Sequence, residues 1–352
     1  MISYLNLLNN FIFCFYSLFL IKKKRAHQRD FFILFGLFLI GLIFYHLTNP
    51  FPYDLQMYWE YYSKAAKNPL AFKELVIRDP LGYGSMFVLA QLFPHSPVTY
   101  YFLNIFLWSG ALFFSFRQLI KRYDFSYVGK ITIFLYLFFL LFDLDDVHHS
   151  MRHSTACSLI GLSFMIFEQK KWSSILLFIA AVLWQGTLII FTPLFFLYKF
   201  SWSKKKTYTL SLFMIIMAFG FSYINMYELI PKSFLHHEWI YQYFPRIYLF
   251  FLRPEKSQLF ELSKSIGHDP FWMLELPFYV MTMGFLSIAK FYNRFLILSL
   301  SFAFLFVVAF RFHFSMILRF ELMFELMARL VLLWIIVQLL RKKEQNFSGS
   351  DV

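Results

Sequence analysis

The chain has 352 residues, 59% of them hydrophobic and 15% charged, with a formal net charge of +13 and a mean hydropathy of +0.58. Apolar runs of about twenty residues recur from end to end, more than one soluble core can hide, which excludes an ordinary water-soluble domain. The two cysteines, Cys14 and Cys157, lie inside apolar runs and allow neither a disulfide framework nor a zinc-ribbon spacing.

The composition predicts an all-α fold, a polytopic integral membrane bundle of about 9–12 helical segments that includes re-entrant or half-spanning helices. The first run, MISYLNLLNNFIFCFYSLFLIKKKR, carries its positive cluster after the apolar stretch and has no small-residue cleavage site, so it reads as a retained span. Further spans are expected near 31–47, 98–120, 128–143, 154–168, 207–224, 271–289, 294–310 and 316–340. Shorter apolar pieces fall at 82–93, 172–184 and 186–198. Twelve helical residues rise only about 18 Å against a hydrocarbon core of roughly 30 Å, so 82–93 reads as a re-entrant half-helix. The whole chain forms one transmembrane domain in this reading, with outer loops at 48–81 and 225–270.

Lysine and arginine clusters orient the bundle. The groups at 22–25, 121–122, 170–171, 204–206 and 341–343 are assigned to the cytoplasmic side. That assignment places the N-terminus outside and the C-terminus inside, and requires 172–198 to be a hairpin turning around Gln185 and Gly186. Most carboxylates then fall on the outer face, where the chemistry is expected.

The outer loop NPFPYDLQMYWEYYSKAAKNPLAFKELVIRDPLGYGS brings Asp54, Tyr58, Tyr61 and Tyr62 to helical spacing, and Asp79 with Gly82 and Gly84 opens the half-helix. Aromatic rings with carboxylates suit sugar binding, because pyranose faces stack on rings while carboxylates accept hydroxyl hydrogen bonds. An interfacial helix lying on the membrane accounts for the tyrosines equally well. Farther on, DLDDVHHSMRHSTACSLIGL, residues 143–162, places three aspartates, three histidines and an arginine at the outer boundary.

Were a helix to begin near Asp145, then Asp145, His149 and His153 would share one stripe. One reading is a divalent-metal site. Another needs no metal: Arg152 holds phosphate oxygens while a histidine or aspartate accepts a proton. A third treats the aspartates, Asp146 included, as a solvated loop at a helix N-terminus. Arg78, Arg246, Arg253, Arg311 and Arg319 are assigned to the same side, and convergent arginines suit phosphate or diphosphate. Arg329 fits a structural pair with Glu325, four residues before it.

Together the Asp54-x3-Tyr58-x2-Tyr61 pattern, the Asp79-Pro80-x-Gly82-Tyr83 opening, MRHSTACSLIGLSFM, KKWSSILLFIAAVLWQGTLIIFTPLFFL and ILRFELMFEL resemble the EpsG-like branch of the Wzy-type O-antigen and capsular polysaccharide polymerases, over roughly 40–340. The resemblance implies a glycosyltransferase that moves a growing glycan from undecaprenyl diphosphate onto another lipid-linked repeat unit, at the outer face of the bacterial inner membrane and without a required metal or other cofactor. The partners it implies are the undecaprenyl-diphosphate-linked oligosaccharide and the lipid bilayer, with a flippase and a chain-length regulator as candidate protein partners and no nucleic acid. Arg152 and Arg319 take the family's arginine positions, with Asp54, Asp79, His149 and His153 as candidate bases. Arg311, Arg78, Tyr58, Tyr61, Tyr83 and Asp146 are candidate substrate contacts. Gln185 stands where the family's pattern carries a histidine. Competing classes are a metal-dependent transferase of the GT-C kind, a membrane O-acyltransferase, and a transporter or lipid flippase.

Overall fold

A computed structural model describes residues 2–23, 28–48, 53–123, 151–167, 169–199, 203–222 and 294–309. All of their regular structure is helical, with no strand among the described residues. In chain order the helices are α1 (Ile2–Lys23), α2 (Gln28–Thr48), α3 (Tyr53–Lys67), α4 (Lys73–Arg78), α5 (Gly82–Leu92), α6 (Val98–Tyr123), α7 (Met151–Ile166), α8 (Lys171–Trp184), α9 (Thr192–Lys199), α10 (Lys204–Ser222) and α11 (Arg294–Ala309). Turns of 3-10 helix at Leu70–Phe72 and Gly186–Phe191 lead into α4 and α9. The expected spans at 128–143, 271–289 and 316–340 and the loop 225–270 lie outside the described residues.

Two compact units emerge: one contains the helices up to Leu197, the other α10 and α11. In the first, α1 and α2 pack as neighbours. The Asn9 amide donates to the Leu37 carbonyl at 2.9 Å, and the Tyr16 hydroxyl donates to Asp30 at 2.7 Å. Asp30 sits in the first turn of α2, where the unpaired N–H groups of a helix start favour negative charge.

Helix α7 is the axis of this unit. All sixteen of its residues are buried, and it packs against α6 and α8. Small residues make this close approach possible: Ser154, Ala156, Ser158, Gly161 and Ser163 let neighbouring backbones come near. Ser163 and Ser174 bond reciprocally across α7 and α8, each hydroxyl donating to the other's backbone carbonyl, at 2.9 and 2.6 Å. In a double-mutant cycle, Ser163→Ala and Ser174→Ala are expected to show a coupling of about 0.6–1.7 kcal/mol in reversible detergent unfolding. A coupling indistinguishable from zero would mean that van der Waals packing alone joins the two helices.

The second unit repeats the device. Ser211 of α10 and Ser301 of α11 are buried with their hydroxyl oxygens 2.6 Å apart, while Leu212, Phe213, Ile216 and Phe219 of α10 are exposed. In α8, likewise, Trp172, Leu176, Ile179 and Leu183 are exposed, and Ser174 is fully buried. Small polar groups inside with large apolar groups outside invert the pattern of a surface helix in a water-soluble protein. Helix α3 follows the ordinary pattern: Tyr58, Tyr62 and Ala65 are buried, and Gln56, Glu60, Ser63, Lys64 and Lys67 are exposed.

Among the described residues, one stretch, Val98–Ser115 of α6, is both long and apolar enough to cross a bilayer. Leu7–Ile21, Lys171–Trp184 and Ile297–Phe306 are shorter apolar helices. Helix α5 has eleven residues, the short length expected from the sequence, and rises about 16 Å.

Candidate functional site: a buried arginine where two helix ends meet

Proline sets the first helix end. Pro80 cannot continue α4 and disfavours helical backbone at the residue before it, so Asp79 leaves the helix at φ −130° and ψ 78°. Two residues later α5 begins. At the other end, α8 stops at Trp184, and Gln185 is extended at φ −147° and ψ 99° before the 3-10 turn starts at Gly186.

The start of α5 and the end of α8 satisfy each other. The Leu81 N–H donates to the Leu183 carbonyl at 3.0 Å, pairing a donor at one helix start with a carbonyl left over at another helix end. Opposite partial charges therefore meet at this junction. Gly82 is required there, because a Cβ at that position would lie against the Trp184 carbonyl oxygen, well inside van der Waals contact.

Arg152, in the first described turn of α7, reaches into the junction and is 3% exposed. Its Nη1 donates to Asp79 Oδ2 at 2.9 Å, and its Nε donates to the Tyr58 hydroxyl at 3.3 Å. The guanidinium carbon lies 3.9 Å from the Tyr83 ring centroid and 5.7 Å from that of Tyr58, close enough for cation–π attraction. The other carboxylate oxygen of Asp79 accepts the Gly186 N–H at 3.0 Å. Asp79 thus joins the opening of α5, the arginine of α7 and the break after α8. Buried charge is tolerated in this way, by pairing and hydrogen bonding.

Around this pair stand three buried tyrosines, Tyr58, Tyr83 and Tyr100. Tyr100 of α6 tilts against Tyr58 with centroids 6.1 Å apart, and its hydroxyl donates to the Gly82 carbonyl at 3.0 Å. One turn on, Asn104 donates to the Tyr100 carbonyl at 2.9 Å and accepts the Trp184 indole N–H at 3.1 Å. Helix α6 therefore holds both sides of the junction. Tyr61 meets Tyr83 edge-on at 5.9 Å, with the Lys64 ammonium 5.7 Å from its own ring centroid. Tyr62 secures α3 to the far end of α5: its hydroxyl is 2.7 Å from the Leu89 carbonyl oxygen, 2.9 Å from that of Phe93 and 3.1 Å from the Thr99 hydroxyl. Burial pushes the Tyr62 phenol above its ordinary range, partly offset by the Thr99 hydrogen bond.

Of the residues expected from the sequence, Arg152, Asp79, Tyr58 and Tyr83 are brought together, with Tyr61 against Tyr83. Asp79 has both oxygens engaged by donors, a geometry that positions other groups and does not present it to a substrate hydroxyl. His153 is buried on α7, turned about 100° from Arg152 by the helix. Asp54 lies one turn before Tyr58 in α3, and Arg78 is the last residue of α4. Arg311, Arg319, Asp146 and His149 lie outside the described residues, as does Asp145 of the proposed stripe. Among the described residues, no group of three or more His, Cys, Asp or Glu could hold a metal ion.

Sequence reasoning did not single out Tyr100, Asn104, Trp184 or Gly186 as part of this cluster. Asn104 carried a usable signal, a lone amide inside an apolar run, which inside a membrane bundle marks a buried hydrogen-bonded position. Tyr100 and Trp184 carried none, since aromatic residues recur throughout the chain, and Gly186 was legible as a turn but not as a donor to Asp79. Comparison with protein-family models, curated proteins and solved structures finds no match, so the reading of this site stands on its own geometry.

Proposed function

We propose that the chain is a polytopic membrane protein of the bacterial plasma membrane that polymerises lipid-linked oligosaccharide repeat units by glycosyl transfer from undecaprenyl diphosphate at the outer face. The membrane part of this reading is supported by the apolar exterior of α1, α8 and α10. Leu7, Phe11, Phe15 and Leu18 of α1 are all exposed, a greasy surface that water would penalise and lipid would not. Under the charge assignment, the N-terminus is outside and the C-terminus cytoplasmic.

Arg152 is the observation that carries the catalytic reading. A guanidinium is planar, always charged and suited to bidentate phosphate binding. In glycosyl transfer from a diphosphate, negative charge grows on the departing phosphate, and a preorganised cation stabilises it. Arg152 has that role here, supported by Arg319 and Arg311. With Asp79 occupied as a positioning group, proton removal from the attacking hydroxyl falls to Asp54, His149 or His153. On α3, exposed Gln56, Glu60 and Ser63 with half-buried Trp59 line a groove of about 490 Å³. A tryptophan among amide, hydroxyl and carboxylate groups suits a glycan.

In cells lacking the gene, long-chain glycan is expected to disappear and single repeat units to remain. Wild type should restore the ladder on a gel, and Arg152→Lys should not, because lysine keeps the charge but loses the fork. A full ladder from Arg152→Lys, at wild-type protein abundance, would sink the role given to the guanidinium.

One observation favours a second reading. Helix ends that meet tip to tip, as α5 and α8 do, are also how transporters and flippases build binding sites from discontinuous helices. Conversion of one lipid-linked substrate into longer chains by purified protein in detergent separates the two, since a transporter forms no new glycosidic bond.

A further inference from the structure

The carboxylate of Asp79 occupies a seat made of two kinds of anion donor. One is the Arg152 guanidinium, whose Nη1 is 2.9 Å from Oδ2, and the other is the backbone N–H of Gly186, 3.0 Å from Oδ1. A guanidinium fork and a free backbone N–H are also what a phosphate group recruits. The seat therefore has the chemistry of a phosphate site with an internal carboxylate in it.

We propose that Asp79 is a displaceable counter-ion, yielding both Arg152 and the Gly186 N–H to the phosphate oxygens of a diphosphate-bearing ligand. This inference rests on the reading of Arg152 as the group that holds the diphosphate. In the closed state, the carboxylate keeps the buried guanidinium paired, without which it would be strongly destabilising. Displacement removes the Asp79 to Gly186 tie between the α4–α5 connection and the break after α8, and loosens the neighbouring Leu81 to Leu183 hydrogen bond across the same junction. Two features make the motion local. Asp79 to Leu81 is a short non-helical connection between two helices, and Gln185 is an extended residue between α8 and its 3-10 turn. Ligand arrival and loosening of the α5–α8 junction are then one event. A singly charged monatomic anion such as chloride, which cannot meet the guanidinium and the backbone N–H with separate oxygens, would not displace the carboxylate.

The Leu81 amide, whose N–H crosses the junction to the Leu183 carbonyl, reports this loosening through hydrogen–deuterium exchange. Full-length protein in detergent, titrated with inorganic pyrophosphate, is expected to show several-fold faster exchange in the peptide containing Leu81, and chloride at matched ionic strength should not reproduce it. Asp79→Asn, which keeps the shape and removes the competing charge, is expected to bind pyrophosphate about tenfold more tightly than wild type, as when a seat open about one-tenth of the time becomes always open. Arg152→Lys should abolish the response.

No pyrophosphate binding, unchanged exchange at Leu81 with pyrophosphate bound, or weaker binding by Asp79→Asn would overturn the proposal. The last result would mean that the carboxylate builds the seat and does not guard it. If Asp79→Asn fails to fold, the wild-type exchange experiment still decides. Because pyrophosphate carries no glycan, the outcome is independent of polymer formation. A faster-exchanging Leu81 in a protein that makes no polymer would support the counter-ion and reject the polymerase.

Discussion

Arg152→Met is expected to destabilise the first unit by about 3–5 kcal/mol, the usual cost of leaving one partner of a buried ion pair without the other. In this variant, Asp79 keeps the Gly186 N–H but loses the guanidinium. Adding Asp79→Leu should recover most of the loss, because two charges that were desolvated to make the pair are replaced by side chains that need no compensation. Detergent or thermal unfolding of purified protein measures both steps. Glycan length in cells separates stability from function, since the double variant is expected to be well folded and to make no ladder. A stable double variant with a normal ladder would reduce the pair to scaffolding and take Arg152 out of the proposed chemistry.

Gly82→Ala should be the most damaging small change in α5. Its new methyl would press on the Trp184 carbonyl, a backbone atom that cannot rotate away, so α5 must move off α8. Overpacking of this kind costs about 1–3 kcal/mol. It would also strain the Leu81 to Leu183 and Gly186 to Asp79 hydrogen bonds. Gly84→Ala is the internal control. The nearest atom to a Cβ there is Val76 Cγ1, at an ordinary 3.9 Å, and alanine favours a helix interior over glycine by up to about 1 kcal/mol. Opposite signs for two substitutions two residues apart, read by thermal unfolding, would establish the helix junction as the cause. Equal and small effects would mean that α5 and α8 are free to separate.

The positions of the helices were legible in the sequence. An apolar run must satisfy its backbone internally, so the first run and the expected segments at 31–47, 82–93 and 172–184 correspond to α1, α2, α5 and α8 with ends shifted by a few residues. The break at Gln185 and Gly186 was legible for the same reason, as the one interruption in a long apolar stretch. So was the expectation that Arg152 must be paired or hydrated, since an arginine with neither in so apolar a setting is too costly to keep.

Which carboxylate pairs with Arg152 was not legible. Asp79 lies 73 positions away along the chain, and Asp143, Asp145 and Asp146 lie much nearer. Helical spacing relates residues within one helix and says nothing about which helix ends meet. The same limit hid Tyr100 and Trp184, whose partners are in other helices. It also made Tyr58 look like a free sugar-stacking ring, whereas it is 5% exposed with its hydroxyl beside the Arg152 Nε.

By itself, then, the sequence determined the helical class, the locations of the apolar helices, the short α5 and the need for Arg152 to be paired or hydrated, while α3 and α4 lie in the stretch read as an outer loop. Each of these follows from local hydrophobicity, backbone hydrogen bonding and the cost of burying charge. Only the tertiary structure decided that Asp79 is the partner, that Gly82 lies against Trp184, and that α5 and α8 meet end to end. Those are contacts between segments distant in sequence, and the packing of whole helices against one another selects them.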